Sequence, residues 1–285
     1  MSMTQKTERR LPENFDGLTL LEGELSVRAA VEGKKRVIKT VLVDKNKKGK
    51  RDRKLLALLA YLKQNQIPTV LAKREKIDAL VRESAGEHAG HTHGGVIAFA
   101  SERTYSTLSE LLETVRDGDY FVCLDGIEDP FNLGYAVRVL YAMGCKGFLL
   151  PKRDWTNAAG VMARASAGAS ERCDMAFLPS EDVQTVEEIR AHGVQIVCSA
   201  LAKNSQPLAA FSPRAPFVLF IGGEKRGISP CFMEAADAIV HIPYVRQEVR
   251  YSLPTATVCA MFAEKLAERG SIPERAEHKT GETTL

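Results

Sequence analysis

The run Phe217-Val218-Leu219-Phe220-Ile221 leads without interruption into Gly222-Gly223-Glu224-Lys225-Arg226-Gly227-Ile228-Ser229. Five consecutive apolar residues suit a strand covered on both faces, the situation inside a parallel sheet. Glycines at the carboxyl end of such a strand let the backbone approach a flat, polar ligand. Tyr120-Phe121-Val122-Cys123-Leu124-Asp125 reads the same way. Working outward, strands are predicted at 120–125, 147–151, 194–199, 217–221 and 238–242, and helices at 132–143, 158–168, 182–192 and 254–268. This alternation predicts an α/β fold with a mostly parallel sheet and helices on both sides.

The glycine-rich turn does not fit a triphosphate-binding loop. Its spacing matches GxxxxG followed by Lys and Ser, but Ile228 stands where the phosphate-binding cation is needed, so nucleotide hydrolysis is disfavoured. No GxGxxG follows a predicted strand either, which argues against a dinucleotide site.

The first half reads as a smaller α/β unit. Helices are predicted at 23–32, 54–64 and 76–82, and strands at 37–43, 67–72 and 96–100, with 107–115 as a last helix or link. Between Lys34 and Lys54 the net charge is +9, against +3 for the whole chain. Such a cluster points to a polyanion, because each neutralised phosphate releases counterions. Lys34, Lys35, Arg36, Lys45, Lys47, Lys48, Lys50 and Arg51 are the expected contacts. The plain alternative is a solvated turn, since Lys45 to Arg51 joins an apolar strand to an apolar helix. Residues 1–16 are expected to be a flexible N-terminus and 271–285 a disordered tail, leaving domains at 17–115 and 118–270.

With 45% hydrophobic and 26% charged residues among 285, global disorder is excluded. No run of about 18 apolar residues is present, so no membrane span is expected. Met1 to Arg10 lacks the apolar stretch of a secretory signal. The six cysteines never approach within fewer than 22 positions of one another, which suits reduced, buried thiols and a cytoplasmic location. His88, His91 and His93 have no Cys or carboxylate at ligand spacing, so no metal is expected.

Three further stretches carry chemistry in combination. Asn132-Leu133-Gly134-Tyr135-Ala136-Val137-Arg138 opens a helix after Asp129-Pro130, and Asn132 suits its N-cap. Arg138 lies between Val137 and Val139 and is expected to be at least half-buried, where it would need an anionic or carbonyl partner. Ile242-Pro243-Tyr244 and Tyr251-Ser252-Leu253-Pro254-Thr255 lead into the last helix. Ser252 is the expected cap there, and Pro254 is tolerated in the first turn. The order Asn-x-Gly-x-x-x-Arg, Gly-x-Glu-x-x-Gly, then Ile-Pro with Ser-Leu resembles the three motifs of the SpoU/TrmH family, the ribose 2′-O-methyltransferases of the SPOUT superfamily. Ser166-Ala167-Gly168-Ala169 is similar to a small-residue helix of that family. The resemblance spans roughly 118–269. The first half resembles the family's N-terminal RNA substrate-binding domain, which ends at Gly94-Gly95-Val96-Ile97-Ala98.

The resemblance implies a C-terminal trefoil knot, an S-adenosylmethionine cofactor, a homodimer, and structured RNA as substrate, ribosomal ahead of transfer RNA. Carried over to this sequence, Ser199, Ala200, Leu201, Ile221, Gly222, Gly223, Glu224, Ile242, Ser252 and Leu253 would line the cofactor pocket, and Arg138, Asn132, Glu224 and Ser252 would serve catalysis. Arg138 is either the general base or a charged clamp on the developing alkoxide. Taking a proton from a guanidinium of ordinary pKa costs roughly 7 kcal/mol at pH 7. One position departs from the family pattern: Pro254 stands where Asn is usual, and it supplies neither a side-chain amide nor a backbone N–H. That leaves a second reading, a catalytically weak or inactive RNA-binding or assembly protein on the same scaffold.

Overall fold

In a computed structural model, residues 15, 17–47, 53–85, 93–153, 155, 158–213, 216–223, 226–246, 248 and 251–267 are described. The N-terminal half runs β1 (Thr19–Glu22), α1 (Glu24–Gly33), β2 (Ile38–Asp44), α2 (Arg53–Gln64), β3 (Thr69–Ala72), α3 (Arg74–Ala85), β4 (Val96–Ala100). Its sheet has the order β1-β4-β2-β3, with β4 antiparallel to both neighbours and β2 parallel to β3. Leu55, Leu58 and Leu62 recur at helical spacing and press α2 onto Val41 and Val43 in the core. Phe15, within the stretch expected to be flexible, stacks on Phe99 with ring centroids 3.9 Å apart.

The second half follows as α4 (Leu108–Leu112), β5 (Tyr120–Asp125), α5 (Pro130–Ala142), β6 (Gly147–Leu150), α6 (Ala159–Ala165), α7 (Ala169–Arg172), β7 (Asp174–Phe177), α8 (Asp182–Ala191), β8 (Gln195–Ser199), β9 (Gln206–Pro207), β10 (Phe217–Gly222), α9 (Pro230–Glu234), β11 (Ala238–His241) and α10 (Thr255–Ala267). The seven strands are all parallel, in the order β7-β6-β5-β10-β8-β11-β9. Side chains alternate across this sheet as a pleat requires. Val122, Leu219 and Val197 meet α5 and α10 on one face, while Phe121, Phe220 and Ile196 meet α8 and α9 on the other. Both faces are covered, which is why the strands read as continuous apolar runs.

The predicted parallel sheet is present, with β1, β7, β9 and α9 as additional elements. The helix expected over 158–168 is interrupted. Ala167 and Gly168 have φ of 51° and 84°, which ends α6 and starts α7. A Cβ on Gly168 would stand 2.5 Å from the Cβ of Ala29, so the glycine admits α1 against the break. The two sheets are thereby docked through α1 on α7 and β1 on α6.

This docking moves two expected RNA contacts from an open basic surface to the seam between the halves. Arg36 is buried: its Nε lies 2.7 Å from Glu171 Oε2, and its Nη1 donates to Thr19 Oγ1 and the Ser101 carbonyl. Lys35 pairs with Asp174 across the same seam. Arg36 is thereby held inside the seam by the second half of the chain, while Lys35 stays part-exposed beside Asp174. Arg164 with Glu22 and Arg172 with Glu32 add further pairs. Lys34 and Lys45 are exposed and Lys47 half-buried, whereas Lys48, Lys50 and Arg51 lie outside the described residues. The expected tail at 271–285 also lies outside them, as do all of 1–16 except Phe15.

Candidate active site

The carboxyl ends of β8, β10 and β11 lie side by side in the parallel sheet, where such folds place their ligand crevices. A cleft of about 890 Å³ opens there, within the range of small-molecule sites. Ser199, Ala200 and Leu201 come from the end of β8, Ile221, Gly222 and Gly223 from the end of β10, and Ile242 from the end of β11. Ser252 and Leu253 enter from the segment before α10. Thus nine of the ten residues expected in one pocket converge; the tenth, Glu224, lies outside the described residues.

Glycine chemistry builds the floor. A Cβ on Gly223 would fall 2.3 Å from the Gly126 carbonyl oxygen, and one on Gly222 would fall 2.4 Å from the Gly227 carbonyl carbon. The Gly227 N–H donates to the Gly223 carbonyl at 3.0 Å, closing the turn. The loop after β5 braces it: Asp125 Oδ2 accepts from the Ser229 N–H at 3.1 Å. Burial raises the Asp125 pKa above its ordinary value; the Ser229 N–H opposes the shift and Asp182 adds to it.

The walls are apolar and aromatic. Tyr244 and Tyr251 line the cleft, and the Tyr244 hydroxyl donates to the Tyr251 carbonyl at 3.4 Å. Both stand inside stretches that the sequence had already singled out, next to Pro243 and Ser252, and their position is the signal that could have found them. His241 also lines the cleft, and its Nδ1 is 2.9 Å from Ser205 Oγ. That hydroxyl already donates to the Ala202 carbonyl at 2.6 Å. Its single proton is used there, which leaves the hydroxyl oxygen to accept from His241 Nδ1.

The motif at the start of α5 behaves differently from expectation. Asp129, not Asn132, caps the helix, accepting from the Asn132 N–H at 2.9 Å. Gly134 serves helix packing, because a Cβ there would meet the Ala165 Cβ at 2.5 Å. Arg138 is exposed, not buried. It shares the outward face of α5 with Phe131 and Tyr135, both large and exposed. Among the described residues it has no ion pair, and neither it nor Asn132 lines the cleft of its own chain. Nor does Ser252 cap the last helix: α10 starts at Thr255, and the Pro254 carbonyl accepts from the N–H groups of Thr257 and Val258 at 2.8 and 3.1 Å. Pro254 precedes the first turn, where its missing N–H has no helical role.

Among the described residues no group of three His, Cys, Asp or Glu converges as a metal site, and no helix is long and apolar enough to cross a membrane. His93 is instead buried, with Nε2 2.9 Å from Asp78 and Nδ1 accepting from the Gly95 N–H; His88 and His91 lie outside the described residues.

Comparison with known proteins agrees with this construction. Residues 20–106 match the family model described as RNA 2′-O ribose methyltransferase substrate binding. Among curated proteins, the chain is 26% identical over 217 residues to the 23S rRNA (guanosine-2′-O-)-methyltransferase RlmB of Pseudomonas putida, covering 75% of this chain and 84% of that one. It is 26% identical over 257 residues to RlmB of Ralstonia nicotianae, covering 90% and 98%. The SpoU methyltransferase AviRb of Streptomyces viridochromogenes, solved with AdoMet, shares the fold with a TM-score of 0.69 at 21% identity over 89% of this chain and 90% of that one. The sheet, the cleft at its carboxyl edge and all three motifs fall within residues 119–262, which match the model of the SpoU rRNA Methylase family, and the chain belongs to that family.

Proposed function

We propose that the protein transfers a methyl group from S-adenosylmethionine to a ribose 2′-hydroxyl of structured RNA, ribosomal RNA ahead of transfer RNA. The observation that carries this reading is the convergence of three distant segments on one cleft at the ends of β8, β10 and β11. The cofactor fits its chemistry. Ile221, Ile242 and Leu253 offer apolar cover, Tyr244 and Tyr251 offer ring faces, and the Gly222–Gly223 backbone is free of side chains. Bound there, S-adenosylmethionine supplies an electrophilic methyl on a positively charged sulfur. The RlmB relatives, which by name methylate guanosine in 23S rRNA, support the ribosomal choice.

The residues of this chain have two tasks, positioning and handling one proton. Arg138 holds a backbone phosphate and stabilises the negative charge growing on the ribose oxygen, while the hydroxyl proton passes to Glu224, the other candidate acceptor of the motifs. Asn132, Ser252 and Glu224 orient the nucleotide and the glycine-rich loop. Since Arg138 stands outside the cleft of its own chain, a homodimer completes the site by bringing it to the cleft of the partner. The face formed by Phe131, Tyr135 and Tyr141 on α5 and Met261 on α10 supports this, because large apolar side chains exposed together mark an interface. A trefoil knot in the C-terminal half, as in the family, accounts for the loop after β10 and the segment before α10 sharing one cleft. Pro254 gives little support to an inactive scaffold, because the carbonyl that starts α10 is kept.

The test is transfer of labelled methyl to total ribosomal RNA, followed by mapping of ribose methylation, with calorimetry against S-adenosylmethionine alongside. Micromolar binding, about −8 kcal/mol, and label on ribose are expected. Label on a base, or no heat at millimolar cofactor, would sink the reading.

A further inference from the structure

We propose that the cavity at the seam between the two sheets is a binding site for a singly charged phosphoryl oxyanion, with the RNA backbone as its expected source. The choice of RNA rests on the methyltransferase reading; the oxyanion chemistry does not. The cavity holds about 180 Å³ and is walled by Arg36, Glu102 and Arg103 from one side and by Arg153 and Trp155, after β6, from the other.

Two donors there have no acceptor among the described residues. Nε of Arg103 and Nε1 of Trp155 are shielded from solvent without a hydrogen bond, and each residue is only 6% exposed. An unsatisfied buried donor costs about 1–3 kcal/mol, and native structures leave few of them. Because both groups donate, the missing partner accepts, which excludes an amine or a metal cation. The surrounding guanidinium groups are held in place. Arg103 donates its other nitrogens to the Ser170 and Cys173 carbonyls, and Arg36 is fixed by Glu171, Thr19 and Ser101. Arg153 is exposed and lies over the Trp155 ring at 5.2 Å.

Charge narrows the ligand further. Among the described residues, the cavity is lined by the guanidinium groups of Arg36, Arg103 and Arg153 and by the carboxylate of Glu102, and Arg36 is paired with Glu171. A phosphodiester carries one negative charge. A water would satisfy the donors but would not make the charge-assisted hydrogen bonds that guanidinium groups form with an anion. Arginine's planar fork and the indole N–H suit the oxygens of a phosphoryl group.

Trp155 is the only tryptophan in the protein, so its fluorescence reports on this cavity directly. The full chain is titrated with inorganic phosphate, against sodium chloride of equal ionic strength, and separately with an RNA hairpin, with Arg153→Gln in parallel. Emission is expected to change saturably with both probes, and the exposed-site variant to weaken both by roughly tenfold. A response to phosphate alone keeps the oxyanion site and assigns its source to free phosphate. No response to either probe overturns the proposal, as does a response that Arg153→Gln leaves unchanged. The phosphate arm is independent of methyl transfer, so loss of the enzymatic reading and loss of this one are separable.

Discussion

Nε of Arg36 lies 2.7 Å from Oε2 of Glu171, and neither side chain reaches solvent. The residues are far apart in the chain, Arg36 just before β2 and Glu171 in α7, so the pair fixes how the two halves meet. Removing one member leaves the other charge buried alone, which costs about 3–5 kcal/mol. Arg36→Met and Glu171→Leu are each expected to lose that much in urea unfolding. The double variant should recover most of it, since apolar groups of similar volume replace buried pairs well. Additive losses in the double variant would show that the ion pair does not couple the halves.

Gly223 sits so close to the Gly126 carbonyl that a Cβ would approach it to 2.3 Å. Gly223→Ala therefore pushes apart the loops after β5 and β10, at about 1–3 kcal/mol for overpacking. Cofactor affinity measured by calorimetry should fall at least tenfold, because the floor of the cleft moves. Unchanged affinity in a folded variant would detach this turn from the binding site.

The apolar runs at 120–125 and 217–221 disclosed the second sheet because both of their faces are covered, and burial on two sides leaves an unbroken pattern. The cleft was legible for the same reason, since it is assembled from loops that directly follow those strands. β9 has two residues, too few for any period to emerge, and β1 and β7 are four-residue strands at the edges of their sheets. The Gly168 break answers to α1, more than a hundred residues earlier, and no local pattern records it. Arg138 misled through its neighbours. Val137 and Val139 are adjacent in sequence but point away from it around the helix, while Phe131 and Tyr135 on its own face are apolar and yet exposed. Arg36 misled in the opposite sense, as one charge in a basic run whose partner is Glu171.

Arg138 and the cleft are expected to work in trans. Arg138→Ala alone should abolish methyl transfer while leaving cofactor binding intact, and Gly223→Ala should impair transfer through the cleft. Mixing the two chains under exchange conditions gives heterodimers in which one of two sites has both an intact cleft and an intact partner arginine. Recovery of up to about a quarter of wild-type transfer is expected for random exchange in a two-fold dimer. Activity no higher than the average of the two variants would return Arg138 to its own chain's site, or to no site.

Asp125 adds a pH dependence whose sign follows from its raised pKa. Burial, ahead of the opposing Ser229 N–H and the adjacent Asp182 charge, holds the folded-state pKa above the unfolded one. The native state therefore binds the proton more tightly. This group's contribution is most favourable below the ordinary carboxylate pKa of about 4 and declines as pH rises through the raised value. Asp125→Asn keeps an oxygen to accept from Ser229 and carries no charge at any pH. The stability of the variant relative to the parent, measured by urea midpoints, should thus increase between pH 4 and neutrality and then level off. Parallel curves across that range would mean that the loop carboxylate is not strained by burial, and that the brace under Gly223 is electrostatically neutral to folding.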